Sequence, residues 1–183
     1  MLTHPAKGVQ SNVHIPGAEI DLGKFVSLIN PRTNAQSDFV YPADRLLRLR
    51  GILSAEEIRT SNMKTYTGEP VRYVTKRGHA TLTTIGRLTG FESHVRRYFT
   101  IGSRDSVEAA VYPHDKYSGP FSEGGDSGSI IADASGKFVA LLTAGTGSND
   151  CSDITFCTPM YWLWKVIKAK FPGASLYFKG VNN

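Results

Sequence analysis

The amino-acid sequence predicts a mainly β fold, a six-stranded antiparallel barrel with a C-terminal helix, preceded by an irregular N-terminal arm. Three observations predict it. From Val71 onward, short apolar and β-branched segments recur at intervals of roughly ten residues, divided by Gly, Pro, Asp or Ser, and closing them into a barrel leaves no sheet edge open. Beyond them, Met160, Leu163, Trp164, Ile167 and Phe171 repeat at helical period and share one face. The first stretch, to about residue 20, has neither period and carries Pro5, Gly8, Pro16 and Gly17. Residues 1–70 are therefore read as arm and connection, 71–172 as barrel and helix, and 173–183 as a tail.

In the arm, Ile20 to Ile29 alternates well enough for one strand, interrupted at Gly23 and ended by the Asn30-Pro31 turn signal. A loop over 32–38 leads to Phe39 through Arg50. Ser54-Ala-Glu-Glu57 has the form of a capping box, in which the serine hydroxyl and the glutamate carboxylate each satisfy a free backbone N–H, so a short surface helix over 55–61 follows. The six strands are Val71–Lys76, Ala80–Leu88, Val95–Ile101, Val107–Tyr112, Gly128–Ala132 and Phe138–Thr143, the last two joined by a turn at Asp133-Ala-Ser-Gly136. Thr158 caps the terminal helix, which runs to Phe171 and packs back on the barrel.

Composition narrows the function classes. A chain of 183 residues with 40% hydrophobic and 20% charged content buries a core without help from metal or disulfides. No stretch approaches the ~18 consecutive apolar residues of a membrane helix, and Met1 to Lys7 lacks the apolar core of a secretory signal, which makes a cytoplasmic chain with no membrane partner the expectation. Cys151 and Cys157 flank a short apolar segment and are expected to be reduced. The net charge of +5 comes from basic residues scattered over 45–50, 76–77, 96–97 and 165–170, with no nucleic-acid motif joining them, so a solvated basic surface is preferred to nucleic-acid binding. No His, Cys, Asp and Glu spacing suggests a metal, and the glycines form no phosphate loop, so neither metal nor cofactor is expected.

Chemistry is concentrated in Phe121-Ser-Glu-Gly-Gly-Asp-Ser-Gly-Ser-Ile-Ile-Ala132. Two glycines bracket Asp126 and Ser127, and an apolar strand follows at once, so a tight loop delivers a serine to a strand mouth. Glycine at 125 opens backbone conformations closed to other residues, and the N–H groups of Gly125 and Ser127 can then hold a developing oxyanion. Asp126 is placed to brace the loop by an ion pair or hydrogen bond, with its side chain directed away from the serine.

This loop, the Gly turn and the strand after it resemble the C-terminal barrel of the trypsin/chymotrypsin-like serine proteases, and most of all a fungal group of trypsin-like proteins. Lys76-Arg-Gly-His-Ala-Thr-Leu-Thr-Thr-Ile-Gly86 similarly resembles the strand-turn-strand that opens the second barrel of that family. The resemblance implies Ser127 as nucleophile, Gly125 and Ser127 as oxyanion-hole donors, and Thr143-Ala144-Gly145 as the strand that pairs with a peptide substrate. It also implies Phe121 near the floor of the primary specificity pocket. An aromatic there argues for a small or apolar substrate side chain.

In that family the base and its orienting acid come from a first barrel in the order His, Asp, Ser, and no first barrel is legible here. A serine hydroxyl needs such a base within hydrogen-bond reach. His14, with Asp38 or Asp44, has the right order but few residues before it. His4, His79 and His94 read as arm, turn and strand residues, and His114 as a residue of the loop into the pocket. Three readings follow: half of a peptidase whose His/Asp-bearing half is supplied separately, a pseudoenzyme that binds peptides beside Thr143 to Gly145, and an interaction module using its basic surface. Loss of a first barrel further predicts self-association unless residues 1–70 cover the exposed apolar face.

Overall fold

The computed structural model describes residues 12–14 (backbone only), 20–29, 43–61, 63–65, 67–146 and 153–176. Before the main sheet come β1 (Asn12–His14), α1 (Leu22–Ile29), β2 (Leu46–Arg48), α2 (Ala55–Arg59) and β3 (Met63–Lys64). The sheet is then built from β4 (Pro70–Arg77), β5 (Thr83–Phe99), β6 (Gly102–Pro113), β7 (Ile130–Asp133), β8 (Phe138–Gly145) and β9 (Thr155–Pro159), and α3 (Met160–Lys170) ends the described fold. Strand order is β3-β4-β5-β6-β9-β8-β7, and β4 pairs with β7 as well, so six antiparallel strands are hydrogen-bonded in a ring. The protein is thus mainly β, with a seven-stranded antiparallel sheet, a small two-stranded sheet of β1 and β2, and one C-terminal helix.

Two expected strands fuse into one. Most of the residues expected as Ala80–Leu88 and Val95–Ile101 form the continuous β5, with 80–82 and 100–101 left in the flanking turns, and β9, expected as loop and helix cap, supplies the sixth strand of the ring. The fusion has a physical cause: a bulge between Leu88 and Glu92 carries β5 away from the core, and beyond it β5 and β6 pair as a ribbon from Glu92↔Ala109 to Phe99↔Gly102. Apart from Glu108 and Ala109 at its base, this ribbon is wet on both faces and needs no apolar alternation, so Glu92, Ser93 and residues 102–106 read as loop. The terminal helix begins at Met160 rather than Thr158, with Pro159 at its N-cap and no side-chain cap. Met160 is buried, Leu163, Trp164 and Ile167 are half-buried, and Phe171 at the C-cap is exposed.

The arm departs most from expectation. Ile20 to Ile29 holds a helix rather than a strand. Asp21 accepts the Lys24 N–H at its Oδ1 (2.9 Å) and the Phe25 N–H at its backbone oxygen (2.9 Å), which starts the first turn. Phe25 and Ile29, four residues apart, are then both fully buried. An apolar pattern this short fits either period, and packing decided between them. With Leu47 and Leu49 these side chains join Val71, Tyr73, Ile85, Phe138 and Met160 in one apolar cluster. Residues 50–53 hydrogen-bond along the start of β8. The condition for self-association, an apolar face left open, is therefore not met where α1 and β2 lie.

α2 carries both halves of its capping box: Ser54 Oγ accepts from Glu57 N (3.1 Å) and Ser54 N donates to Glu57 Oε2 (2.9 Å). The Lys137 ammonium also bonds Glu57, and this contact first, then the Ser54 N–H, lowers the Glu57 pKa to about 2. A carboxyl held below its unfolded value contributes stability above pH ~4.5 that is lost as pH falls through its folded pKa. Because both side chains are more than a third exposed, screening reduces the contribution to about 1 kcal/mol. Urea midpoints of the wild type and Glu57→Gln should therefore differ at pH 6 and converge toward pH 2. A gap that does not change with pH would remove Glu57 as an acid-sensitive tie.

Candidate active site

The serine loop is shaped by two successive turns. Asp126 N donates to Glu123 O (3.1 Å), and Ser129 N donates to Asp126 O (3.1 Å). Gly125 takes φ +106° and Gly128 φ +87°, values that a side chain would strain. Next, Gly128 N donates to Leu142 O (2.9 Å) and Leu142 N to Ser129 O (3.0 Å), which moors the loop to the end of β8. Among the described residues, the N–H groups of Gly125 and Ser127 have no acceptor. Ser127 itself is exposed. An exposed hydroxyl beside two unengaged amides is an arrangement able to bind an oxyanion.

Asp126 holds the loop from behind. Its carboxylate is fully buried, accepts from Ala80 N (2.7 Å), Thr81 N (3.2 Å), Thr81 Oγ1 (2.7 Å) and Glu123 N (3.2 Å), and lies 2.9 Å from Lys76 Nζ, which is equally buried. Burial, the largest single influence, pushes this carboxyl up, but the bonds from Thr81, Lys76 and the backbone outweigh it and keep the group well below the usual carboxylate range. Burial pulls the Lys76 ammonium below its ordinary value, and Asp126 opposes that. The turn from β4 to β5 can enclose the carboxylate only because residue 78 is glycine: a Cβ there would lie 2.2 Å from Asp126 Oδ1. Lys76, read from the sequence as part of a solvated basic surface, is instead fully buried, because its ammonium has an anion to pair with. That the anion is Asp126 was not legible in the sequence.

Ser127 opens on a cleft of about 860 Å³ whose walls include Arg77, His79, Gly125, Ile130, Leu49 and Leu176. Among the described residues, His79, read from sequence as an ordinary turn residue, is thus the histidine that the fold brings to the serine's cleft, because the turn gripping Asp126 also carries it. Among the described residues His79 and Ser127 share no hydrogen bond. The backbone of His14 pairs with Leu46, and its side chain, like His4, Asp38 and Cys151, lies outside the described residues. Asp44 is exposed and pairs with Arg48. His94 stands on β5, and His114 stacks on Tyr73 and lies 2.9 Å from Leu28 O, lining a separate cavity.

Thr143, Ala144 and Gly145 follow the last β7–β8 pair, Ile130↔Leu141, and pair on their other side with β9 through Ala144↔Phe156 and Gly145↔Thr155. Among the described residues, no strand pairs with the other edge of this stretch, next to the serine loop. Phe121 is 1% exposed and belongs to the core, with Lys76 Nζ 5.7 Å from its ring centre, and it does not line the Ser127 cleft. An acid does approach position 121: Asp153 accepts the Phe121 N–H, and burial first, then repulsion from Glu123, raises its pKa. Cys157 is a free buried thiol whose pKa burial pushes up. Among the described residues no three His, Cys, Asp or Glu side chains cluster as a metal site, and no helix is long and apolar enough to cross a membrane.

No protein family and no curated protein sequence matches the chain. Among solved structures it is similar to Thermobifida fusca Protease A, at 20% identity and a TM-score of 0.43 over 72% of this chain and 58% of that one. It is also similar to the chymotrypsin of Cellulomonas bogoriensis, at 20% identity and a TM-score of 0.38 over 61% and 52%. A third is a serine protease specific for glutamic acid, described as using a histidine triad in substrate binding, at 16% identity and 0.40 over 75% and 61%. The chain spans between 52% and 61% of the length of these structures.

Proposed function

We propose that this chain is a serine-peptidase-like domain of the trypsin-like type, its ring of strands the barrel that carries the nucleophile, and that it acts on or binds peptides at the Ser127 cleft. One observation carries the reading: two consecutive turns leave the Gly125 and Ser127 amides without acceptors beside an exposed serine hydroxyl. A peptide laid along the free edge at Thr143 to Gly145 meets that hydroxyl. Ser127 Oγ then attacks the carbonyl carbon, its proton passes to a base and on to the leaving amine, and water later releases the acyl group. The base comes from a His/Asp-bearing half supplied by a separate segment, with His79 as the alternative within the described fold.

A second reading, peptide binding without hydrolysis, is favoured by the lack of a Ser127–histidine hydrogen bond among the described residues. The reading as a basic interaction module has less support, since Arg59, Arg72, Lys76, Arg96 and Lys137 are engaged in ion pairs. Fluorophosphonate labelling of the purified chain, read by intact mass, separates these. Adduct on the wild type, absent from Ser127→Ala and lost in His79→Ala, would establish a self-contained hydrolytic centre. Adduct that appears only when a His/Asp-bearing half is added supports the split peptidase. No adduct under either condition on folded protein sinks hydrolysis and leaves peptide binding, which should then survive Ser127→Ala.

A further inference from the structure

A second cavity, of about 600 Å³, lies between the β5–β6 ribbon and the start of α3 and shares no lining residue with the Ser127 cleft. Its walls include Val107, Pro159, Tyr161 and Trp162, and Glu108 opens into it. Glu108 is only 4% exposed. A carboxylate this buried is costly unless it is paired and fully hydrogen-bonded. Here Oε2 accepts one neutral donor, Thr158 Oγ1, at 2.9 Å, and among the described residues Oε1 has none. Oε1 is also absent from the sealed, partnerless atoms of the interior, so it faces the cavity.

The neighbouring charges do not neutralise it. Arg104 also lines the cavity, four residues away along the strand, and makes no ion pair with Glu108 among the described residues. Asp105, a second acid on the wall, is taken by Arg96 through two bonds of 2.6 and 2.8 Å. His94 sits opposite Val107 on the ribbon and makes no ion pair with Glu108. A buried anion with an open oxygen, flanked by two aromatic side chains and by Val107 and Pro159, has the chemistry of a cation site.

We infer that this cavity binds an organic ammonium group, with Glu108 as counter-ion and Tyr161 and Trp162 as its aromatic walls. The site is independent of the Ser127 chemistry. Tryptophan fluorescence is a direct readout, since Trp162 is one of only two tryptophans in the chain. The probes are benzylammonium, a blocked tripeptide centred on lysine, and their neutral counterparts, benzyl alcohol and the acetyl-lysine peptide. Benzylammonium should titrate saturably, with at least tenfold weaker binding to Glu108→Gln and to Trp162→Ala, and the neutral probes should not bind. Trp162 is half-exposed, so its replacement tests the site even where Glu108→Gln folds poorly. Binding of the lysine peptide as well identifies a protein side chain as the occupant, whereas benzylammonium alone identifies a small-molecule cation. Equal binding of charged and neutral probes, unchanged affinity in both variants, or no saturable change with folded wild type would overturn the assignment.

Discussion

Asp126→Asn is expected to lower stability by about 3–5 kcal/mol and to abolish any reactivity of Ser127, because it leaves the Lys76 ammonium buried without its counter-charge. The opposite change is expected to cost less. In Lys76→Met the carboxylate keeps the N–H groups of Ala80, Thr81 and Glu123 and the Thr81 hydroxyl, and an apolar stem replaces an ion whose burial is itself costly. The double variant should therefore be more stable than Asp126→Asn alone. Urea denaturation of the four proteins measures both the asymmetry and the coupling. Since Asp126 holds its proton far less tightly than an unfolded aspartate does, the stability it contributes is present above about pH 4 and is lost as pH falls below that. If Asp126→Asn unfolded within 1 kcal/mol of wild type, the loop would be held by its turns alone.

Phe25→Ala is expected to cost about 3–5 kcal/mol, the range for emptying a buried aromatic position. Its effect should also be more than local. Phe25 and Ile29 are the two fully buried residues by which α1 is anchored over Tyr73, Val71 and Ile85, and eight residues of helix do not persist in water without such packing. When α1 leaves, the apolar face it covers is opened. The variant should bind a hydrophobic-surface dye and sediment as larger species with rising concentration, while the wild type does neither. Dye binding by the wild type at the same level would mean that α1 does not cover that face in solution.

Much of the sheet was legible because its signals are local. β4, β7 and β8 alternate or run apolar between turn residues, and each lies within a residue or two of its expected span. The ribbon was not legible as one hairpin, since beyond Glu108 and Ala109 its backbone pairs without a buried face to impose a pattern. Nor was α1, where Ile20, Leu22, Val26 and Leu28 alternate as in a strand while Leu22, Phe25, Leu28 and Ile29 keep helical spacing, so ten residues do not choose between them. β9 was hidden by its own brevity and by Thr158-Pro159, which read as the opening of a helix. At the candidate site, the Gly125-Asp126-Ser127-Gly128 loop identified itself by residue type, whereas His79 carried no sign of where its turn would point.

The sequence by itself determined the serine loop and the β character of the chain, because positive φ at glycine and the two-residue period of a strand are properties of neighbours along the chain. Only the tertiary structure decided that Lys76 would meet Asp126, that His79 would share a cleft with Ser127, and that Glu108 would open into an aromatic cavity beside α3. Each of these depends on which strands become neighbours. The pairing of β4 with β7 closes the ring and brings residues 76–82 to residues 123–127, and a contact between segments so far apart leaves no periodic trace in either of them.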